Sequence, residues 1–159
     1  MSTASTIADV KKELDLLSRT SISSNDFMLQ ITKLLHDRLL KYNWVGFYML
    51  EHGTEPAVLV LESFLGAMTP HTRIPLNQGI CGAAASSGKT IVVDDVSKDS
   101  RYLACSLETK SEIVVPVFVK KQVAGELDID SHFAAAFGAE DQALVQYCAE
   151  VVGKKLEQS

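Results

Sequence analysis

At 159 residues, with 47% hydrophobic and 22% charged residues and a formal net charge of -5, the chain is sized for one domain with a full core. The acidic balance argues against a nucleic-acid partner, and no stretch of about 18 apolar residues, nor any basic segment running into an apolar one near Met1, points to a membrane span or signal peptide. Three cysteines with no CxxC pair match neither a disulfide scaffold nor a zinc or thioredoxin-like motif, so free thiols in a reducing cytoplasm are expected.

In chain order, Ile7, Val10, Leu14 and Leu17 recur at helical spacing and predict an amphipathic helix over Thr6–Ser18. Ser23, Ser24, Asn25 and Asp26 offer caps for a second helix with the stripe Phe27, Ile31, Leu34, Leu35 and Leu39, ending near Lys41. Tyr42–Leu50 and Ala57–Leu65 are β-prone on either side of a turn and read as an antiparallel hairpin. A loop with Pro70 and Pro75 leads to a small-residue segment at Cys81 suited to a short helix, then to a short strand in TIVVDD and a long loop over Val96–Lys110. Glu112–Val119 and Val123–Asp130 are strands joined at Lys120 and Lys121, and Pro116 marks an edge position or a bulge in the first of them. Glu140–Leu156 closes the chain as a helix with Leu144, Cys148, Val151 and Val152 on one face. The expectation is one α+β domain over residues 1–159, with tails of about five residues at the start and three at the end. Its terminal helices should pack on one face of an antiparallel sheet of five or six strands.

The chemistry-bearing residues concentrate between Gly79 and Ser131. Cys81 and Cys105 stand 24 positions apart, the second in a polar loop. Glu126, Asp128 and Asp130 alternate along a strand and so share a face. If that face lines a cleft, mutual repulsion and desolvation should raise at least one carboxyl toward neutrality. If it is open to water, the acids are only a solvated face. Trp44 and Tyr48 also share a strand face, fit either for sheet core or for the wall of a ligand site. Cys148 reads as core packing. His71 is open to three readings: a surface loop residue, a polar pocket residue, or one member of a soft-metal set with the two cysteines.

Together these residues resemble a GAF domain, and among GAF domains the free methionine-(R)-sulfoxide reductases. The similarity runs from Tyr42-Asn43-Trp44-Val45-Gly46-Phe47-Tyr48 through Arg73-Ile74-Pro75 and Gly79-Ile80-Cys81-Gly82 to Leu127-Asp128-Ile129-Asp130-Ser131. Its most specific part is Ala104-Cys105 followed by Ser111-Glu112-Ile113-Val114-Val115-Pro116. The resemblance implies a six-stranded antiparallel sheet with a buried pocket and reduction of the free R epimer by a thioredoxin-type reductant. It implies no cofactor or metal, and it leaves room for a homodimer. It assigns Cys105 as the catalytic thiol, Cys81 as a second pocket cysteine, Glu112, Asp128 and Asp130 as substrate-binding and proton-handling acids, and Trp44 and Tyr48 as the aromatic wall. His71 stands where the family places the cysteine that usually closes a disulfide with the catalytic thiol. That departure keeps a second reading open: a non-catalytic GAF sensor that binds a small molecule.

The residue types support the first reading chemically. A thiolate attacks the sulfoxide sulfur, the leaving oxygen takes a proton from a carboxyl of raised pKa, and a second thiol condenses the resulting sulfenic acid to a disulfide. An ionised carboxylate binds the ammonium of a free amino acid. With position 71 unable to form a disulfide, the oxidised Cys105 is resolved either by Cys81 or directly by an external thiol; Cys81 is favoured, since a place at a helix start would stabilise its thiolate.

Overall fold

A computed structural model describes residues 3–103 and 107–158. Eleven elements follow in order: α1 (Thr3–Ser18), α2 (Ser24–Arg38), β1 (Trp44–Glu51), β2 (Val58–Leu65), β3 (Arg73–Pro75), α3 (Gly79–Ser87), β4 (Ile91–Val93), a 3₁₀ turn (Val96–Lys98), β5 (Ser111–Val119), β6 (Gln122–Ser131) and α4 (Ala139–Glu157). The strands form one six-stranded antiparallel sheet in the order β3-β2-β1-β6-β5-β4. The first and last long strands are thereby brought side by side at its centre.

Strand alternation divides the sheet into two chemical faces. Val45 and Phe47 of β1, Ile113, Val115 and Val117 of β5, and Leu127 and Ile129 of β6 pack against α1, α2 and α4 in the main core. The opposite residues, Trp44, Tyr48 and Val114, join a second cluster with Cys81, Ala84 and Ala85 of α3. The terminal helices therefore cover one face, as the sequence predicts, while the short α3 covers the other. Helix α2 starts where Ser23 Oγ accepts the Asp26 N–H at 3.1 Å, a side-chain cap for an otherwise unpaired donor.

Three local expectations change. The segment read as a loop around Pro75 contains β3, whose Arg73–Pro75 pair with Val58–Val60; three residues ending in proline carry no readable alternation. Helix α2 ends at Arg38, before Lys41, because Leu39 has left helical geometry. Pro116 lies inside the sheet, but β4 reaches only Glu112–Val114, so the side of β5 beyond Val114 carries no neighbouring strand. The bulge follows one residue later, between Val117 and Phe118.

Candidate functional site

The α3 face of the sheet carries three cross-strand rows. Trp44 lies opposite Asp130, and Asp130 opposite Glu112; Gly46, Asp128 and Val114 make the second row; Tyr48, Glu126 and Pro116 make the third. A period of two along β6 thus lines up Glu126, Asp128 and Asp130, and the register with β5 adds Glu112 beside them. All four acids are buried, with relative exposures of 5% for Glu112, 0% for Glu126, and 2% for Asp128 and Asp130. These values decide against a solvated face.

The aromatic side is held by specific hydrogen bonds. Trp44 Nε1–H donates to the Ala67 carbonyl at 3.0 Å, and Tyr48 O–H to the His71 carbonyl at 2.7 Å. The Trp44 ring stacks between Tyr48 and Phe64, with centroid separations of 6.2 and 5.7 Å. It lies directly over Gly46, where a Cβ would come within 2.4 Å of Trp44 Cη2. Only glycine leaves room for the indole there. On the other side of the site, Gly82 lets α3 approach the chain before it, since a Cβ would sit 2.8 Å from the Leu76 carbonyl oxygen. That approach lowers Cys81 onto the acids, where its Sγ–H donates to Asp128 Oδ2 at 3.4 Å.

Among the described residues, no lysine, arginine or histidine forms an ion pair with these four carboxylates. Both oxygens of Glu126, Asp128 Oδ1 and Asp130 Oδ1 are buried without a hydrogen-bond partner among the described residues. Burial is accordingly the first cause that raises each of the four. For Glu112, Asp128 and Asp130 add to it by coulombic repulsion, and for Asp130 the Asp128 charge adds likewise. Glu126 is raised well above the ordinary carboxylate range by burial, with the nearby Cys81 thiol acting against it and the Asp128 charge with it. Asp128 is raised by burial too, but hydrogen bonding from Glu112, Cys81 and Asp130 opposes that rise. Asp128 is therefore the natural seat of a negative charge, and Glu112 and Asp130 the natural holders of protons.

The thiols behave differently from the helix-dipole expectation. Cys81 occupies the third position of α3, yet burial, followed by the charges of Asp128, Glu126 and Glu112, pushes its thiol well above the usual value. Desolvation and three acids outweigh the dipole of a nine-residue helix. Cys148 is buried in the helical core and its thiol is pushed up to about 12 by burial, in keeping with packing. Cys105 lies outside the described residues. The backbone of His71 anchors Tyr48, and the remaining predicted residues, Cys81, Glu112, Asp128, Asp130, Trp44 and Tyr48, converge on one face. A cavity of about 170 Å³ opens at its edge, lined by Asn43, Trp44, Ala67, Glu108, Thr109, Asp130 and His132; it suits a small ligand, being below the roughly 300–1,000 Å³ of drug-sized sites. Asn43 fixes that rim by accepting the His132 N–H on its Oδ1 at 2.7 Å, a role that nothing in its sequence neighbourhood marks.

An antiparallel sheet in this strand order, with long helices behind it and a short helix over a buried polar face, defines a domain of the GAF type. The chain belongs to the GAF domain family, whose sequence profile matches residues 25–156. It is 37% identical over 145 residues to the free methionine-R-sulfoxide reductase of Escherichia coli (strain K12), an alignment covering 91% of this chain and 85% of that one. Among solved structures, it resembles the type II free methionine-R-sulfoxide reductase of Thermoplasma acidophilum, with a TM-score of 0.79 and 38% identity over 85% of this chain and 93% of that one. The free methionine-R-sulfoxide reductase of Neisseria meningitidis in complex with its substrate gives a TM-score of 0.90 and 31% identity over 99% of this chain and 92% of that one.

Proposed function

We propose that this protein is an oxidoreductase that reduces free L-methionine-(R)-sulfoxide to methionine, with Cys105 as nucleophile and a thioredoxin-type dithiol as the reductant. The similarity to reductases of that name supports the reading. The observation that carries it is the convergence of Glu112, Asp128 and Asp130 on one buried face beside Trp44 and Tyr48, with no cation among the described residues paired to them. A free amino acid supplies the cation: its ammonium docks against the Asp128 carboxylate, while its methyl end packs on the aromatic pair. A peptide-bound methionine has no ammonium to offer.

In this scheme the Cys105 thiolate attacks the sulfoxide sulfur and a proton from Glu112 or Asp130 goes to the oxygen, releasing methionine and leaving a sulfenic acid on Cys105. The Cys81 thiol then attacks the sulfenic sulfur, water leaves, and a disulfide remains for the external dithiol to reduce. Two thiols are oxidised for each sulfoxide reduced. Because burial and, after it, the neighbouring acids keep Cys81 protonated, the resolving step requires its proton to pass to an adjacent carboxylate, and Asp128 already accepts it. The test is thioredoxin-coupled turnover of the R epimer, the S epimer and N-acetylmethionine sulfoxide. Only the free R epimer should be consumed; equal use of the acetylated compound would overturn the ammonium assignment.

A further inference from the structure

The inner end of the site holds more acid than an ammonium group uses. Cys81 Sγ, one Glu112 oxygen and one Asp128 oxygen lie within 4.8 Å of one another, all buried. Glu126, on the neighbouring row, is wholly buried with both oxygens unpartnered, and weighs electrostatically on the same thiol. An unpartnered buried carboxyl is destabilising, and an apolar side chain would fill its place against Tyr48 and Pro116 without that cost.

We propose that Cys81, Glu112, Asp128 and Glu126 form a site for a borderline-soft divalent cation of the Zn2+ class, which holds the acid face in competition with an ammonium-bearing ligand. Donors about 2.0–2.3 Å from a tetrahedral zinc stand about 3.5 Å apart, so the Cys81, Glu112 and Asp128 donors, within 4.8 Å of one another, close around an ion by shifts of about 1 Å, with Glu126 turning in from the neighbouring row. The thiol selects against Mg2+ and Ca2+, which take oxygen ligands. Rigid elements hold the donors: two acids on β6, one on its partner β5, and the thiol on a helix pressed close by Gly82. On binding, the protons held by the Cys81 thiol and by the Glu112 and Glu126 carboxyls leave to solvent and the metal takes their place. The competition rests on the substrate reading above, whereas the ion site itself does not.

Full-length Cys105→Ser protein leaves Cys81 and Cys148 as its only thiols, so a cobalt titration of that variant isolates the site. One equivalent of Co2+ should develop a thiolate-to-metal charge-transfer band that Zn2+ abolishes and Mg2+ does not. Adding Cys81→Ser should remove the band, and adding Glu126→Gln instead should weaken binding about tenfold or more. Zn2+ should also raise the melting temperature of Cys105→Ser but not of the Cys81→Ser double variant, which confirms that the latter is folded. No band in Cys105→Ser, a band that survives loss of Cys81, or unchanged affinity in Glu126→Gln would each overturn the site. Free methionine sulfoxide should displace the ion; a band that persists at saturating sulfoxide would overturn the shared occupancy while leaving the ion site standing.

Discussion

Replacing Glu126 by methionine should make the protein more stable, a result opposite to that of most core substitutions. The carboxyl is fully buried and neither oxygen has a partner, so the wild type carries a desolvation cost of about 1–3 kcal/mol that a methionine of similar length relieves. For a chain of this size that gain raises Tm by about 2–12 °C. Its pH dependence follows from linkage. Burial raises the Glu126 carboxyl well above its ordinary 4.5, so below that value both folded and unfolded chains hold the proton and the group adds no pH-dependent term. As pH climbs through the ordinary carboxylate range, the unfolded chain releases its proton while the folded one keeps it, and the wild type loses stability that the variant retains. Urea or thermal unfolding of both proteins at about pH 4.5 and about pH 7.5 reads this directly, with the larger advantage for Glu126→Met at the higher pH. A variant less stable than wild type at neutral pH, or one whose advantage grows toward acid, would refute the placement of Glu126 as an unpartnered buried acid.

Gly46→Ala puts a Cβ 2.4 Å from Trp44 Cη2, so it should destabilise the fold by about 1–3 kcal/mol and shift the emission of the protein's one tryptophan; unchanged emission and stability would contradict the stacked geometry. Asp128→Asn and Glu112→Gln keep side-chain shape while removing a charge seat and a proton donor, and each should cut turnover by about 10²–10⁴-fold with circular dichroism unaltered. Wild-type rates in both would return the acids to a structural role. Cys81→Ser should still yield one methionine per protein but recycle poorly with thioredoxin, and peptide mapping after one turnover of the wild type should recover a Cys81–Cys105 link. Normal cycling in that variant would make direct reduction of Cys105 by the external thiol the better account.

Much of this architecture is legible in the chain because it rests on periodicity. The alternation of Glu126, Asp128 and Asp130 with Leu127 and Ile129 fixes which side chains share a face, and the core on the far side bears it out. What alternation cannot tell is whether a face of acids is wet or dry; that depends on α3 settling over it, which turns on Gly82, a residue with no local signal of its own. Cys81 shows the same limit. Its place near a helix start argues for a stabilised thiolate, but burial, and after it three carboxylates distant in sequence, reverse the sign. Glu112 joins the cluster through a register with Asp130 that only the folded sheet fixes. The short β3 escapes because three residues are too few to show a period.

The central claim is thiol-based reduction of one epimer at the acid face, and counting methionine in a single turnover tests it most directly. Pre-reduced protein, freed of external thiol, is mixed with excess R or S methionine sulfoxide and the methionine released per chain is measured. The account predicts one equivalent from the R epimer, none from the S epimer, none from Cys105→Ser, and a strongly slowed release from Asp128→Asn. Methionine formed equally by Cys105→Ser, or no methionine from a folded wild type that binds the sulfoxide, would contradict it and leave a GAF domain that senses its ligand without transforming it.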